Sequence, residues 1–163
     1  MLGSKERPDP QKSLVGFVVG RVSYAVPISA VREIINAVPL AELPHLPAAL
    51  AGVADHRGDV IPIINLRARF GVAGEPPRRS KWILVAVGDK LVGLMVDRVT
   101  EVFGTAGQRL RPAPSLGEDA VSRGIAGVAS HEGHLVFVLA LNRFEDLLQQ
   151  LSLPEPMLQG GSS

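Results

Sequence analysis

The chain has 163 residues, of which 46% are hydrophobic, and this is enough for one substantial core or for two small cores that share an interface. Its 17 Lys and Arg residues nearly balance its 16 Asp and Glu residues, so a net charge of +1 excludes a strongly basic surface for nucleic acid or acidic lipid. The absence of cysteine excludes disulfides, thiol catalysis and cysteine-bound zinc, and it is consistent with a reducing cytoplasm.

The N-terminal part of the chain changes character near residue 14. Residues 1–13 hold too little apolar surface to offset the entropy of ordering, so they predict a disordered tail, and they lack the apolar stretch of a signal peptide. Residues 14–28, LVGFVVGRVSYAVPI, are rich in valine and are interrupted by Gly20-Arg21. This pattern predicts two β-strands joined in a hairpin.

The rest of the first half contains two further predicted strands. They are VREII at 31–35 and DVIPIINL at 59–66, and a turn at Arg57-Gly58 precedes the second. Together with the hairpin, these strands predict a first β subdomain over about residues 14–73. The proline-rich and charged segment GEPPRRSK at 74–81 predicts a linker.

The second half repeats this order of elements from Trp82. WILVAVGDKLVGLMV predicts another hairpin, and later valine-rich segments complete a second β subdomain over about residues 82–141. Residues 142–151 predict a C-terminal helix, since Asn142 can cap its N-terminus and apolar side chains recur at helical spacing, namely Phe144, Leu147, Leu148 and Leu151. Residues 152–163 predict a second tail.

An internal repeat relates the two halves. One block recurs at an offset of 68 positions, with Gly20, Val26, Val31 and Glu33 matching Gly88, Leu94, Val99 and Glu101. A later block, AGVADHRG at 51–58, recurs as AGVASHEG at 126–133, at an offset of 75 positions. Two blocks in the same order predict two related β subdomains, small barrels that pack on each other through an apolar interface.

The repeat is not symmetric in charge. It keeps a glutamate at 33 and 101 but replaces Arg57 by Glu132. Opposite charges in the first half predict that Glu33 and Arg57 approach each other on the surface of the first subdomain. The second subdomain would lack this charged feature.

The residues do not predict catalysis, a cofactor or a metal site. No glycine-rich phosphate-binding motif and no G-x-S-x-G context for a nucleophilic serine occurs in the sequence. The four histidines are His45, His56, His131 and His134. HEGH at 131–134 lacks the i, i+4 spacing that places two ligands on one helical face, and His56 and His131 are repeat equivalents, which favours a structural or surface role.

Five segments in order resemble the CheW-like coupling proteins of bacterial chemotaxis. AGVADHRGDVIPIINLRARFG at 51–71 is similar to a family pattern that contains G-V-x-N-L-R-G and ends in D/N-L-R. VSYAVPISAVREI, LVGLMVDRVTEV and LRPAPS resemble further family segments. GIAGVASHEGHLVFVLALNRFEDLL resembles the closing segment, so the likeness covers about residues 14–151.

The resemblance implies an all-β fold with a C-terminal helix, in which two intertwined five-stranded SH3-like barrels meet across an apolar interface. It also implies a cytoplasmic, non-enzymatic adaptor that links the cytoplasmic tip of a chemoreceptor to the regulatory domain of a CheA-type histidine kinase. Such an adaptor needs no cofactor, no nucleic acid and no direct membrane contact. In this family, the helical hairpin of the receptor docks in a groove between the subdomains, and an edge of the first subdomain meets the kinase.

The matching positions give the residues expected to bind each partner. Receptor binding is expected at five positions, with the three valines near the junction of the subdomains: Val31, Gly52, Arg57, Val99 and Val102. Kinase binding is expected at four positions: Glu33, Ile34, Asp55 and His56.

One departure from the family pattern affects the kinase side, because Asp55-His56 stands where the family has Asn-Leu. Histidine in place of leucine loses on the order of 1–2 kcal/mol of apolar burial, and an unpaired charge in an interface costs more than about 1 kcal/mol. The alternative is therefore an accessory coupling protein with normal receptor binding and kinase affinity at least about tenfold lower. A small-barrel nucleic-acid binder is a remote alternative, which one Trp and one Tyr disfavour.

Overall fold

The computed structural model describes residues 13–105, 109–112 and 124–149, and most of these residues form β-strands. In chain order the strands are β1 (Ser13–Val19), β2 (Val22–Pro27), β3 (Val31–Asn36), β4 (Leu50–His56), β5 (Asp59–Asn65), β6 (Lys81–Val87), β7 (Lys90–Val96), β8 (Arg98–Gly104), β9 (Ile125–His131) and β10 (His134–Leu139). Two short helices, α1 (Leu66–Arg69) and α2 (Glu145–Gln149), and 3-10 turns at Ile28–Ala30 and Leu141–Phe144 complete the described elements. None of the helices in these ranges is both long and apolar enough to cross a membrane.

The strands form two five-stranded sheets that do not follow the division of the sequence into halves. One sheet has the order β8-β1-β2-β10-β9, and the other has the order β3-β6-β7-β5-β4. Each sheet therefore takes one hairpin from one half of the chain and three strands from the other half. The expectation of two contiguous subdomains, over 14–73 and 82–141, is wrong for this reason, whereas the expected intertwining of two five-stranded barrels is confirmed.

Each exchanged hairpin is joined to strands of the other half by one antiparallel and one parallel pairing. β2 pairs with β10 through Ala25 and Val138, and β7 pairs with β5 through Gly93 and Ile63. These two pairings are equivalent under the repeat. Ala25 and Gly93 are separated by the offset of 68 positions, and Ile63 and Val138 are separated by the offset of 75 positions. A parallel pair needs a long connection between its strands, and here residues 28–133 connect β2 to β10 and residues 66–89 connect β5 to β7.

The main apolar core lies between the two sheets and draws on both. It includes Phe17 and Val26 of one sheet and Ile64 and Leu94 of the other, all with an exposed fraction of 0%. Full burial of such a side chain contributes about 1.5–3 kcal/mol to stability. Because this core is shared, each half of the sequence supplies only part of it.

The C-terminal helix differs in detail from the prediction over 142–151. The chain leaves β10 in a 3-10 turn, closed by the Arg143 N–H donating to the Ala140 carbonyl at 3.0 Å, and α2 begins only at Glu145. Asn142 therefore lies inside this turn and does not cap the helix. The tight turn directs Phe144 into the core, where Leu147 and Leu148 join it, and Leu151 lies outside the described residues.

Two other predicted boundaries shift by one residue. Ser13, assigned to the tail, begins β1 because it pairs with Gly104 of β8, and Lys81, assigned to the linker, begins β6 because it pairs with Val96. The remainder of both predicted tails, 1–12 and 152–163, lies outside the described residues.

Candidate functional site

In each sheet, side chains connect the two strands that lie at its edges. In one barrel, Glu33 on β3 reaches the end of β4 at His56 and Arg57; we call these three residues the first seam. In the other barrel, Glu101 on β8 reaches the end of β9 at His131, which Glu132 follows; we call these the second seam. Contacts between edge strands mean that each sheet curls toward closure.

The first seam holds its glutamate between two basic side chains. Glu33 Oε1 lies 3.1 Å from His56 Nε2, and Glu33 Oε2 accepts a hydrogen bond of 3.0 Å from Arg57 Nη2. The side chain of His56 is 17% exposed, that of Glu33 is 31% exposed and that of Arg57 is 74% exposed. The predicted approach of Glu33 and Arg57 is confirmed, and most of the Arg57 side chain remains exposed to a partner.

The second seam repeats the histidine–glutamate contact without the arginine. His131 Nε2 lies 3.1 Å from Glu101 Oε1 and 3.9 Å from Glu132 Oε1. The imidazole also stacks on the ring of Phe103, with ring centroids 4.0 Å apart. The predicted difference in charge between the halves is therefore due to one turn position, which is Arg57 in the first seam and Glu132 in the second.

Two-residue turns place Arg57 and Glu132 at the tips of their hairpins. Arg57 and Gly58 have φ values of 55° and 87°, and Glu132 and Gly133 have φ values of 50° and 79°. Two successive positive φ values are the pattern of a type I′ turn, whose twist suits a β-hairpin. Asp55 supports the first turn, because its Oδ1 accepts a hydrogen bond of 3.1 Å from the Gly58 N–H.

The glycine in each AGVA segment has a backbone role. After β3 the chain pairs with β4 through Ala41 and Val53, and after β8 it pairs with β9 through Arg111 and Val128. A Cβ at Gly52 would lie 2.4 Å from the Ala41 carbonyl oxygen. Gly127 is restricted in the same way, because a Cβ added there would lie 2.8 Å from the Arg111 carbonyl oxygen. Gly52, a predicted receptor-binding residue, is buried, so it offers no side-chain surface to a partner.

The apolar residues of the predicted site fall into two groups. Val31 and Val99 are partly buried and pack against the core that the two sheets share, in accord with their expected position near the junction. Ile34 and Val102 are 42% and 48% exposed, and they are repeat equivalents on the edge strands β3 and β8. The structure therefore does not place Val102 in the same environment as the other two valines.

Residues predicted for different partners come together at the first seam. Arg57, predicted to bind the receptor, contacts Glu33, predicted to bind the kinase, and His56 shares that carboxylate. Ile34 follows Glu33 on β3 with its side chain exposed. The contacts of Glu33 thus bring residues predicted for different partners together at one barrel edge, whereas the side chain of Ile34 points to the opposite face of β3.

One ion pair that the sequence did not single out joins the ends of the neighbouring strands β5 and β7. Arg67 of α1 donates two hydrogen bonds to Asp97, Nε to Oδ1 at 2.9 Å and Nη2 to Oδ2 at 2.7 Å. Asp97 Oδ2 also accepts a hydrogen bond of 2.8 Å from the Gly20 N–H. Arg67 Nη1 donates a hydrogen bond of 2.8 Å to the Ala73 carbonyl. Hydrogen bonding to Asp97 raises the pKa of Arg67 above its ordinary value. Arg67 and Asp97 both lie in segments that resemble the family pattern, and this resemblance could have pointed to them in the sequence.

Comparison with known proteins decides the family. A family model described as "CheW-like domain" matches residues 13–148, which include both sheets and nearly all of α2. The chain belongs to the CheW-like family. Members of this family are chemotaxis scaffold proteins, which fits a non-enzymatic role.

Individual CheW-like proteins agree with this assignment. The chain is 35% identical to the chemotaxis protein CheW of Rhizobium meliloti (strain 1021) over 132 residues, which cover 80% of this chain and 85% of that relative. It is 32% identical to the protein FrzA of Myxococcus xanthus over 142 residues, covering 86% of this chain and 87% of the relative. The crystal structure of the scaffolding protein TtCheW from Thermoanaerobacter tengcongensis superposes with a TM-score of 0.71 at 26% identity, covering 79% of this chain and 88% of that structure.

Proposed function

We propose that this protein is the adaptor of a bacterial chemosensory system and couples the cytoplasmic tip of a chemoreceptor to a CheA-type histidine kinase. The observation that carries the proposal is the first seam of a CheW-like fold, where a 74% exposed arginine is held in place by Glu33. Such a protein acts by binding two partners in a fixed geometry, so it is not an enzyme and needs no cofactor. It would work in the cytoplasm, at receptor arrays.

The proposed receptor surface combines Arg57 with the apolar positions Val31, Val99 and Val102. Arg57 supplies a charge at the tip of a hairpin, and Val102 supplies exposed apolar area, as a helical partner requires. Val31 and Val99 are only partly accessible, so they would line the base of a groove. Gly52 would act indirectly, by allowing the segment around Ala41 to pair with β4.

The proposed kinase surface is the exposed edge of the same barrel. Ile34 is 42% exposed on the edge strand β3, where unpaired backbone groups and an apolar side chain suit association with another barrel. Glu33 and His56, which contact each other at the first seam, and Asp55 complete this proposed surface. Since Glu33 contacts Arg57, we expect the two partners to meet adjacent parts of one surface and to influence each other's binding.

The contacts of Asp55 and His56 argue against the accessory alternative. Weak kinase binding was expected because these residues would present unpaired charge, but His56 is mostly buried against Glu33 and Asp55 accepts a backbone hydrogen bond from Gly58. Both side chains thus have local partners before any kinase binds. We therefore favour full coupling, and we expect the double change Asp55→Asn with His56→Leu to leave kinase affinity within about threefold of wild type, or about 0.65 kcal/mol.

Nucleic-acid binding is disfavoured by where the aromatic residues lie. Trp82 is 1% exposed and Tyr24 is 6% exposed, so neither ring can stack on a base. The remaining surface has no compensating basic excess, since the net charge of the chain is +1.

The proposal is tested by co-sedimentation with receptor fragments, with and without the kinase, using a charge reversal at the first seam. Arg57→Glu is a mild change for the fold, because Glu132 occupies the equivalent turn position at nearly the same φ, 50° against 55°. We expect it to weaken receptor binding at least about tenfold, or about 1.4 kcal/mol. Arg21→Glu, at the exposed tip of another hairpin, is the matched control and should leave binding unchanged.

A double reversal separates the charge of Arg57 from its ion pair. Glu33→Arg with Arg57→Glu restores the attraction within the seam but leaves the outer position negative. Because Arg57 is the more exposed partner, we expect the double variant to remain defective. Wild-type sedimentation of the Arg57→Glu variant would contradict the proposed receptor surface, and failure of the wild-type protein to bring kinase to receptors would contradict coupling itself.

A further inference from the structure

The second seam gathers three metal-ligating side chains that are separated in the sequence. Glu101 comes from β8, His131 ends β9 and Glu132 lies in the following turn. One ligand atom from each lies within 4.8 Å of the others. The i, i+3 spacing of the two histidines in HEGH does not reveal this group, because the glutamate on β8 comes from 30 residues earlier in the chain.

The distances between these atoms are close to those of a tetrahedral zinc site. Bonds of about 2.0–2.1 Å to nitrogen and oxygen place neighbouring tetrahedral ligands roughly 3.3 Å apart. His131 Nε2 lies 3.1 Å from the Glu101 oxygen and 3.9 Å from the Glu132 oxygen. Glu132 is exposed on a turn, so a small rotation of its side chain brings the third ligand into range.

The surroundings orient the imidazole and leave room for further ligands. Stacking on Phe103 holds the ring of His131, with centroids 4.0 Å apart. A recess of about 180 Å³ borders the three ligands and is also lined by His134, the cross-strand partner of His131. It can hold a water molecule as fourth ligand, or His134 can approach. Arg98 lines the same recess.

The charge of the second seam favours a cation. Within the described residues, neither Glu101 nor Glu132 forms an ion pair with a lysine or arginine, whereas in the first seam Arg57 neutralises Glu33. Two carboxylates beside one imidazole are a ligand set that suits zinc, and the imidazole disfavours the oxygen-preferring Mg²⁺ and Ca²⁺.

We propose that the second seam binds Zn²⁺ through His131, Glu101 and Glu132. The bound ion cancels the charge of the two carboxylates, so the second seam acquires the charge balance that Glu33 and Arg57 give the first. It also ties the edge strands β8 and β9 of this barrel together. The surface of the second barrel would then depend on metal availability.

The test is a competition titration of the purified chain, with Zn²⁺ and a chromophoric chelator. We expect one site in the wild-type protein and at least tenfold weaker binding in His131→Ala and in Glu132→Arg. Glu132→Arg copies the residue that the first seam tolerates in the same turn conformation, so its fold should be intact, which circular dichroism checks. His56→Ala, in the first seam, is the matched control and should bind Zn²⁺ as tightly as wild type.

Three results would overturn the proposal: no zinc binding by the wild-type chain, undiminished binding by Glu132→Arg, or equal loss in His56→Ala. If His131→Ala fails to fold because its stacking on Phe103 is lost, Glu132→Arg and Glu132→Gln decide the question alone. A titration with Mg²⁺ in place of Zn²⁺ should show no binding that depends on Glu132, and such binding would contradict the assigned metal class.

Discussion

Replacement of Gly52 by alanine should reduce stability through the backbone rather than through a lost partner contact. A Cβ at this position would lie 2.4 Å from the Ala41 oxygen, and the residue has a φ of 148°, which side chains rarely allow. To relieve the clash, the segment at Ala41 must move away from β4. That movement breaks two hydrogen bonds, Ala41 N–H to the Val53 oxygen at 2.8 Å and Val53 N–H to the Ala41 oxygen at 3.0 Å.

The size of the effect follows from these contacts. Each lost hydrogen bond costs about 0.5–1.5 kcal/mol net, and a side chain forced into an unfavourable φ costs about 1–3 kcal/mol. Partial relaxation of the loop reduces the sum, so we expect Gly52→Ala to lower the free energy of unfolding by about 3 kcal/mol. In a domain of this size, that lowers Tm by about 6–12 °C.

Thermal unfolding followed by circular dichroism measures this shift, and receptor co-sedimentation at 10 °C measures binding in the folded variant. Gly104→Ala is the control, because its Cβ would meet no atom within 4 Å, and its unfolding free energy should change by no more than about 0.5 kcal/mol. Gly127→Ala should show a smaller loss than Gly52→Ala, since its Cβ would lie 2.8 Å from the nearest carbonyl oxygen. A Tm within about 2 °C of wild type for Gly52→Ala would refute the steric reasoning.

Three further substitutions test other parts of the structure. Arg67→Ala should lower the free energy of unfolding in urea by about 2–3 kcal/mol, because it leaves a largely buried Asp97 carboxylate without its partner, and a loss below 1 kcal/mol would mean that the pair is not structural. Arg57→Ala should change stability by less than about 1 kcal/mol, since its pair with Glu33 is exposed, while weakening receptor binding; a large drop in Tm with unchanged affinity would reverse that assignment. Val102→Asp should keep the wild-type Tm and weaken receptor co-sedimentation at least tenfold, because the side chain is 48% exposed, and unfolding of this variant would instead place Val102 in the core.

The sequence alone was sufficient for several features that depend on local pattern. Valine-rich runs around Gly20 and Gly88 predicted the hairpins, and constant offsets between matching segments predicted two related units. The same repeat predicted the approach of Glu33 and Arg57, because it paired an arginine in one half with Glu132 in the other. The family-like segments predicted the fold class, which the structure and the comparisons confirm.

The sequence could not show which strands pair. A hairpin satisfies the same alternation of apolar and polar residues whether it joins the strands of its own half or those of the other half. Only the packing of the whole chain around one shared core decided the exchange of β1–β2 with β6–β7.

Contacts between residues that are distant in the sequence were also decided by the tertiary structure. Arg67 meets Asp97, and Glu101 meets His131, only because curling and exchange of the sheets bring segments 30 residues apart within hydrogen-bonding distance. The need for glycine at 52 likewise comes from the carbonyl of Ala41, eleven positions away in the sequence and 2.4 Å from where a Cβ would stand. Strand propensity and turn chemistry are properties of neighbouring residues, whereas seams, ion pairs and ligand sets depend on distances that only the closed barrels establish.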